Sequence, residues 1–422
     1  MTLLYRLATG AYFGLIRLAA GLGVGRAAAW VAGRRAPGSS QLPRHLRPRP
    51  GGERLLWMHC ASLGEFEQGR PVLEAFTRAH PDWRIVLTFF SPSGYERRRD
   101  EPLADAVLYL PADTPARAAR WVAELRPDVA VFVKYEFWYF HLRALHRAGV
   151  PTFLIAASFR PGQPFFRPWG GWWRRMLSWY AGVAVQTAAD ADLLVSAGRY
   201  PAGRVHLTGD PRMDRTLELA ATPFTDDRLA AFIQAAELTI MAGSVWPPDV
   251  ALWQAVWPSL PAGTRLVLAP HQLNEGEIAA WARAFGAVRY TTARPADLRV
   301  ARVLVLDTIG ILSRAYRYAD VAYVGGGFRT GLHNTLEPLA YGLPVVFGPK
   351  HQKFPEAAAA IAAGGAFSVA TPDELATVLQ RLSRGPYREQ ASAAQRDLAT
   401  RSAGAADRTA AVLLQPAGDR GR

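Results

Sequence analysis

Apolar residues fall along this chain in short β-branched runs, separated by longer stretches with helical spacing. Leu55–His59, Ile85–Thr88, Val107–Leu110, Val129–Val133, Thr152–Ala156 and Val183–Val185 are such runs. They lack the polar alternation of a half-exposed strand, so they predict strands covered on both faces, with helices in the crossovers. A polar, charged stretch from Asp210 to Arg228 interrupts the rhythm. It resumes at Leu238–Met241, Arg265–Leu268, Val303–Leu306, Val321–Val324 and Val345–Phe347. The expected class is α/β, with two Rossmann-like domains over residues 36–215 and 216–414. A ligand cleft is expected between them, at the C-terminal ends of the strands.

The ends of the chain differ from this pattern. Leu3 to Val24 is mainly apolar and has no acidic residue, but Arg6 and Arg17 interrupt it. A cleaved signal peptide has an unbroken apolar core, so residues 1–35 predict a retained N-terminal helix that spans a bilayer or lies on it. Arg26, Arg34 and Arg35 then favour the cytoplasmic side. The competing reading is an amphipathic helix packed on the protein itself. Pro37 to Gly52 reads as a linker, and residues 415–422 as a disordered tail.

Composition narrows the chemistry. The 422 residues suffice for two cores. A single cysteine, Cys60, excludes an intramolecular disulfide and fits a reducing compartment. No cysteine or histidine cluster has metal-ligand spacing, so neither a structural zinc nor any other cofactor is expected. The formal charge of +14, from 49 basic and 35 acidic residues, calls for an anionic partner: nucleic acid, acidic lipid or a phosphorylated substrate. Arg160, Arg167, Arg174 and Arg175 are interleaved with Phe165, Phe166, Trp169, Trp172, Trp173 and Trp179. Such a surface suits stacked bases or lipid headgroups equally.

The chemistry-bearing residues cluster where strands end. Asp320 to Pro349 reads as a strand, the glycines Gly325 to Gly327, a helix capped by Asn334 or Thr335 with Glu337 in its first turn, and a further strand. Glycines and free N–H groups at a helix start suit an anion, and His333, Asn334 and Glu337 suit a sugar. In the first half, CASLGEFEQG follows a strand. Gly64 and Glu65 are expected in its loop, with a helix from near Glu67 or Gly69, and Glu65 is the candidate general base. The loop TFFSPSGYE, holding Ser93, and the run VKYEFWYF, with Lys134 and Glu136 as an ion pair or acceptor contacts, end two more strands. In the second half AGS (Ala242–Ser244), APH (Ala269–His271) and DTIG (Asp307–Gly310) do the same.

Taken in order, ASLGE, SPSGYE, YEFW, TGDPRMD, AGS, APH, DTIG and GLHNTLEP resemble the 3-deoxy-D-manno-octulosonic acid (Kdo) transferases of lipopolysaccharide assembly. The resemblance implies a glycosyltransferase B arrangement and an enzyme on the cytoplasmic face of the bacterial inner membrane. It also implies a CMP-Kdo donor and a lipid A precursor (lipid IVA) as acceptor. Glu65 would be the catalytic base of an inverting, metal-independent transfer. Ser62, Gly64, Ser93, Glu136, Arg174 and Arg175 would meet the acceptor; Ser244, His271, Asp307, Ile309, Gly310, Gly326, His333, Asn334 and Glu337 would hold CMP. The partners are then the donor, the acceptor and an anionic membrane surface, with no nucleic acid. The chain departs from many relatives at Lys134, Pro270 and Ile311, and at Phe328, Arg329 and Thr330. Another two-domain enzyme, a UDP-dependent glycosyltransferase or UDP-sugar epimerase, is the alternative reading. A non-catalytic membrane-surface or nucleic-acid-binding protein is a more distant one.

Overall fold

The computed structural model describes residues 1–35, 42, 43, 46, 53–329 and 331–414. The expected linker (apart from Leu42, Pro43 and Leu46), Thr330 and the expected tail lie outside the described residues. The chain forms two compact units: Met1–Arg212 with Gly404–Arg422, and Met213–Ala403.

Unit 1 holds strands β1 (Leu55–Cys60), β2 (Arg84–Phe89), β3 (Ala106–Tyr109), β4 (Val129–Val133), β5 (Thr152–Ala157), β6 (Gly182–Val185) and β7 (Val205–Leu207). They pair in parallel in the order β3-β2-β1-β4-β5-β6-β7. All six residues of β1 and all five of β4 are buried. Alternation along β1 divides them between two cores: Leu55 and Trp57 join one face, and Leu56, Met58 and Cys60 the other. From β1 the chain runs outward to β3, then returns to β4 on the opposite side of β1. The order therefore reverses between β1 and β4, which places a crevice outside their C-terminal ends.

Unit 2 repeats the architecture with β8 (Leu238–Val245), β9 (Thr264–Pro270), β10 (Val288–Arg289), β11 (Val303–Val305), β12 (Val321–Val324), β13 (Val345–Phe347) and β14 (Ala366–Ser368). The parallel order is β10-β11-β9-β8-β12-β13-β14, and it reverses between β8 and β12. β7, β10 and β14 were not expected from the sequence. All three are sheet edges of two or three residues, too short to carry a run.

One expectation about the ends is corrected. The helix Ala405–Val412 does not complete the second domain. Its Ala406, Ala410 and Val412 pack into a unit 1 core, and Arg408 donates to the Thr208 carbonyl at 3.0 Å. At the N-terminus, helix α1 (Thr2–Gly21) turns through 106° into α2 (Gly25–Arg35), and no single helix is long and apolar enough to cross a membrane. One face of α1 packs on unit 1: Phe13 stacks on Trp30, and the Tyr5 hydroxyl donates to buried Asp113 at 2.6 Å. The opposite face leaves Leu3, Leu4, Leu7, Leu15, Leu18 and Leu22 more than 60% exposed.

Candidate active site

Unit 1 assembles its candidate residues from the loops after β1, β2 and β4. Ser62, with extended backbone, is the N-cap of helix α3 (Leu63–Ala79). Gly64 and Glu65 therefore lie in the first helical turn and not in the expected loop. The helix starts early because Glu65, at its third position, turns its carboxylate back onto the amides of Ala61 and Ser62, which the helix itself leaves without acceptors. Burial first, and then the charge of Glu136, push the Glu65 carboxyl up to about 8; the two amides and Lys134 oppose this without cancelling it. After β2, the Ser91 amide donates to the Ala61 carbonyl at 2.8 Å, which joins the second loop to the first. Ser91 caps the helix Pro92–Arg98, and exposed Ser93 has its hydroxyl 3.0 Å from that of Ser91. Gly94 is required there, since a Cβ would sit 2.3 Å from the Phe89 ring.

After β4, Lys134 takes a left-handed backbone at φ +69°. For a residue with a Cβ this costs about 1–2 kcal/mol, the kind of strain held at functional loops. The Lys134 ammonium lies 5.6 Å over the Tyr135 ring and acts electrostatically on Glu65, while Glu136 turns inward. Its carboxylate accepts from the Trp138 indole at 2.5 Å and lies 3.2 Å from Nε2 of His59. His59, fully buried and held below its ordinary range by that burial, meets the Thr88 hydroxyl at 2.9 Å through Nδ1. Glu136 thus ties the β4 loop to β1. His59 and Trp138 were missed in the sequence; the signal was a histidine in a strand beside a strand-end glutamate.

Arg174 and Arg175 lie apart from this network on the helix Gly171–Leu177. The Arg174 guanidinium donates to the carbonyls of Phe165, Arg167 and Pro168 and so holds the preceding loop in place. Arg175 is exposed.

Unit 2 builds around β8 and β12. The register of β8 shifts between Ala242 and Val245, with Ser244 left-handed at φ +54°. Asp249, completely buried, accepts from the amides of Trp246 (2.9 Å) and Gly326 (3.1 Å) and from the Tyr323 hydroxyl (2.8 Å), and so joins the loops after β8 and β12. Gly326 sits at φ +93°, where a Cβ would meet the Gly331 carbonyl at 2.5 Å. Above this turn three rings stack: Trp246 on His271 with centroids 4.5 Å apart, and His271 on His333 at 4.0 Å. The Arg329 guanidinium lies 4.2 Å over Trp246. Burial, then the neighbouring His271, hold His333 down at about 4; burial, then Arg329, also lower His271.

The helix expected directly after the glycines begins later, as the short turn Leu336–Ala340. Asn334 accepts from the Leu336 amide at 3.1 Å and donates to Glu337 at 3.0 Å; burial raises the Glu337 carboxyl despite that bond. Asp307, Ile309 and Gly310 follow β11, which β9 separates from β8. Asp307 is engaged by Arg289 at 2.8 Å and the Thr291 hydroxyl at 2.6 Å, Ile309 is 82% exposed, and Gly310 has φ +94°. Trp246 and Asp249 were not foreseen, because WPPD reads as an ordinary helix start.

In each unit a buried carboxylate fastens a loop at the point of strand-order reversal, Glu136 to β1 in unit 1 and Asp249 between the loops after β8 and β12 in unit 2. Unit 1 offers a carboxyl poised to exchange a proton near neutrality. Unit 2 offers a stacking platform, neutral imidazoles, a guanidinium and a glycine turn, groups suited to a nucleotide.

The family model described as 3-Deoxy-D-manno-octulosonic-acid transferase (kdotransferase) matches residues 36–215. A 3-deoxy-D-manno-octulosonic acid transferase from Bordetella pertussis is 29% identical over 443 residues, covering 91% of this chain and 94% of its own. One from Chlamydia trachomatis is 28% identical over 311 residues, 70% of each chain. Among solved structures, a UDP-GlcNAc 2-epimerase from Neisseria meningitidis bound to UDP-GlcNAc aligns with a TM-score of 0.60 at 15% identity, over 82% of this chain and 98% of that one. That last likeness is one of fold.

Proposed function

The chain belongs to the 3-deoxy-D-manno-octulosonic acid transferase family, and on that premise we propose that it transfers Kdo from CMP-Kdo to a phosphorylated lipid A precursor in lipopolysaccharide assembly. The observation that carries the reading is Glu65: within the span matched by the family model, a carboxyl pushed up to about 8 stands at the reversal point of unit 1. Glu65 removes the proton of the attacking sugar hydroxyl. That oxygen bonds to the anomeric carbon of Kdo as the bond to the CMP phosphate breaks, and a single displacement inverts the centre. Lys134 and Glu136 set the basicity of Glu65, and Ser62, Gly64 and Ser93 border the acceptor hydroxyl.

In unit 2, Trp246, His271 and His333 receive the CMP, with Ser244, Gly326, Asn334 and Glu337 around them. Arg329 and the backbone donors of the glycine turn stabilise the departing phosphate without a metal. We propose further that the enzyme works on the cytoplasmic face of the bacterial inner membrane; the outward leucines of α1 support contact with a bilayer.

The test incubates the protein with CMP-Kdo and a tetraacylated lipid A precursor, without divalent metal. A product heavier by Kdo units, formed with CMP release, is the expected result. Conversion of a UDP-sugar with no CMP release overturns the reading in favour of a uridine-dependent enzyme.

A further inference from the structure

Outside the sites described, unit 1 holds a cavity of about 520 Å³ between α2, the turn Leu110–Ala112 and the helix Pro115–Leu125. Arg17, Arg34, Arg35, Arg117 and Arg120 line it, and Glu124 is the one carboxylate among its described lining residues. Among the described residues none of these five arginines is in an ion pair. Two tryptophans on the same wall, Trp30 and Trp121, are 8% and 3% exposed, and their buried indole N–H groups have no acceptor among the described residues. Among the described residues Nε and Nη1 of Arg34 are buried without a hydrogen-bond partner as well, although its Nη2 reaches the Phe90 carbonyl.

Among the described residues five arginines outside any ion pair share this wall with one carboxylate, so the cavity asks for an anion. Arginine side chains only donate. The missing ligand is therefore a cluster of acceptors carrying negative charge, as in a phosphate. The place of the cavity narrows the source. Arg17 belongs to α1, next to Leu18 of the outward apolar face, with Leu15 and Leu22 on the same face.

We propose that this cavity binds the phosphate headgroup of an anionic phospholipid from the bilayer on which α1 rests. The acyl chains remain with the α1 leucines, and the headgroup enters among the arginines. Burial pushes the Arg34 guanidinium down to about 9, which leaves it charged near neutrality and able to pair with a phosphate. The proposal rests on the membrane-surface reading of α1, and binding to neutral lipid tests that reading separately.

The experiment measures partition of the full chain onto vesicles of phosphatidylcholine alone or mixed with phosphatidylglycerol. Arg117→Ala/Arg120→Ala removes two exposed arginines of the cavity, and Arg97→Ala/Arg99→Ala removes two exposed arginines elsewhere in unit 1. The first pair should cut the gain given by phosphatidylglycerol by about tenfold or more, and the second by less than twofold, with binding to neutral vesicles unchanged. Equal losses in the two arginine pairs, or an unaltered gain in the first, overturn the proposal in favour of diffuse attraction. Complete suppression of the gain by dilute inorganic phosphate, but not by chloride at equal ionic strength, makes the cavity a free-phosphate site. A raised KM for the lipid A precursor in detergent, with unchanged vesicle partition, makes it an acceptor subsite. Both outcomes overturn the proposal as well.

Discussion

The indole N–H of Trp246 donates to Nε2 of His333 at 2.8 Å. That nitrogen carries no proton, so His333 is the neutral Nδ1–H imidazole. Its stacking against His271 at 4.0 Å reinforces this, because two imidazolium rings in contact repel. The platform of unit 2 is thus an uncharged stack bordered by the Arg329 cation.

Trp246→Phe keeps a ring in the stack and removes the donor. The pKa of His333 should then rise from about 4 by roughly one unit, the equivalent of one hydrogen bond, when followed by NMR titration. In the wild type the folded value lies below the ordinary 6.5, so the unfolded chain binds more protons between 4 and 6.5 and unit 2 loses stability as pH falls through that window. The variant should lose less over the same range. An unmoved pKa would show that burial and His271 keep the ring neutral without the indole.

Glu65→Gln should lower transfer by about 10²- to 10⁴-fold, the range for loss of a general base, with CMP affinity unchanged because the substitution lies in unit 1. Single-turnover kinetics and CMP titration separate the two effects. Retained transfer would remove Glu65 from the base role.

With Glu65 at about 8, kcat/KM should climb with pH through that value as the base ionises. Glu136→Gln removes the charge that helps to raise Glu65, so the midpoint should move to lower pH. The stability profile runs the opposite way. The folded protein holds the Glu65 proton that the unfolded chain releases near 4.5, so this group costs stability as pH rises from 4.5 to 8. A midpoint unchanged in Glu136→Gln would assign the whole shift to burial.

Leu7→Asp/Leu18→Asp places two carboxylates on the outward face of α1, where both leucines are 61% exposed. Each loses about 1.5–3 kcal/mol of apolar transfer, so vesicle binding should fall at least tenfold while Tm stays within a degree or two. Undiminished sedimentation with vesicles would detach α1 from membrane binding.

What the sequence disclosed follows from burial. β1, β4, β8 and β12 are covered on both faces and so leave continuous apolar runs that length and composition reveal. β7, β10 and β14 pair along one edge only and leave almost no trace. The start of α3 was displaced because Glu65 caps its own helix, a conformation that spacing does not record. Glu136 was visible as a strand-end carboxylate, but its partners His59 and Trp138 are set by the fold of the loop after β4. Trp246 and Asp249 carry the unit 2 platform, yet in sequence they are a proline-led helix start with an acidic third position. Asp307 shows the converse, a motif residue whose carboxylate is occupied by Arg289 and Thr291.

The helix Ala405–Val412 belongs to unit 1 although the whole of unit 2 precedes it in the chain. On the ribosome, unit 1 therefore waits for its last helix until Met213–Ala403 has been made, and the surface of α3 that this helix covers stays bare for that interval. Unit 2 is thus made in full before unit 1 is complete, so a stop codon shortly before Ala405 would spare the later-encoded unit and leave the earlier one unfinished.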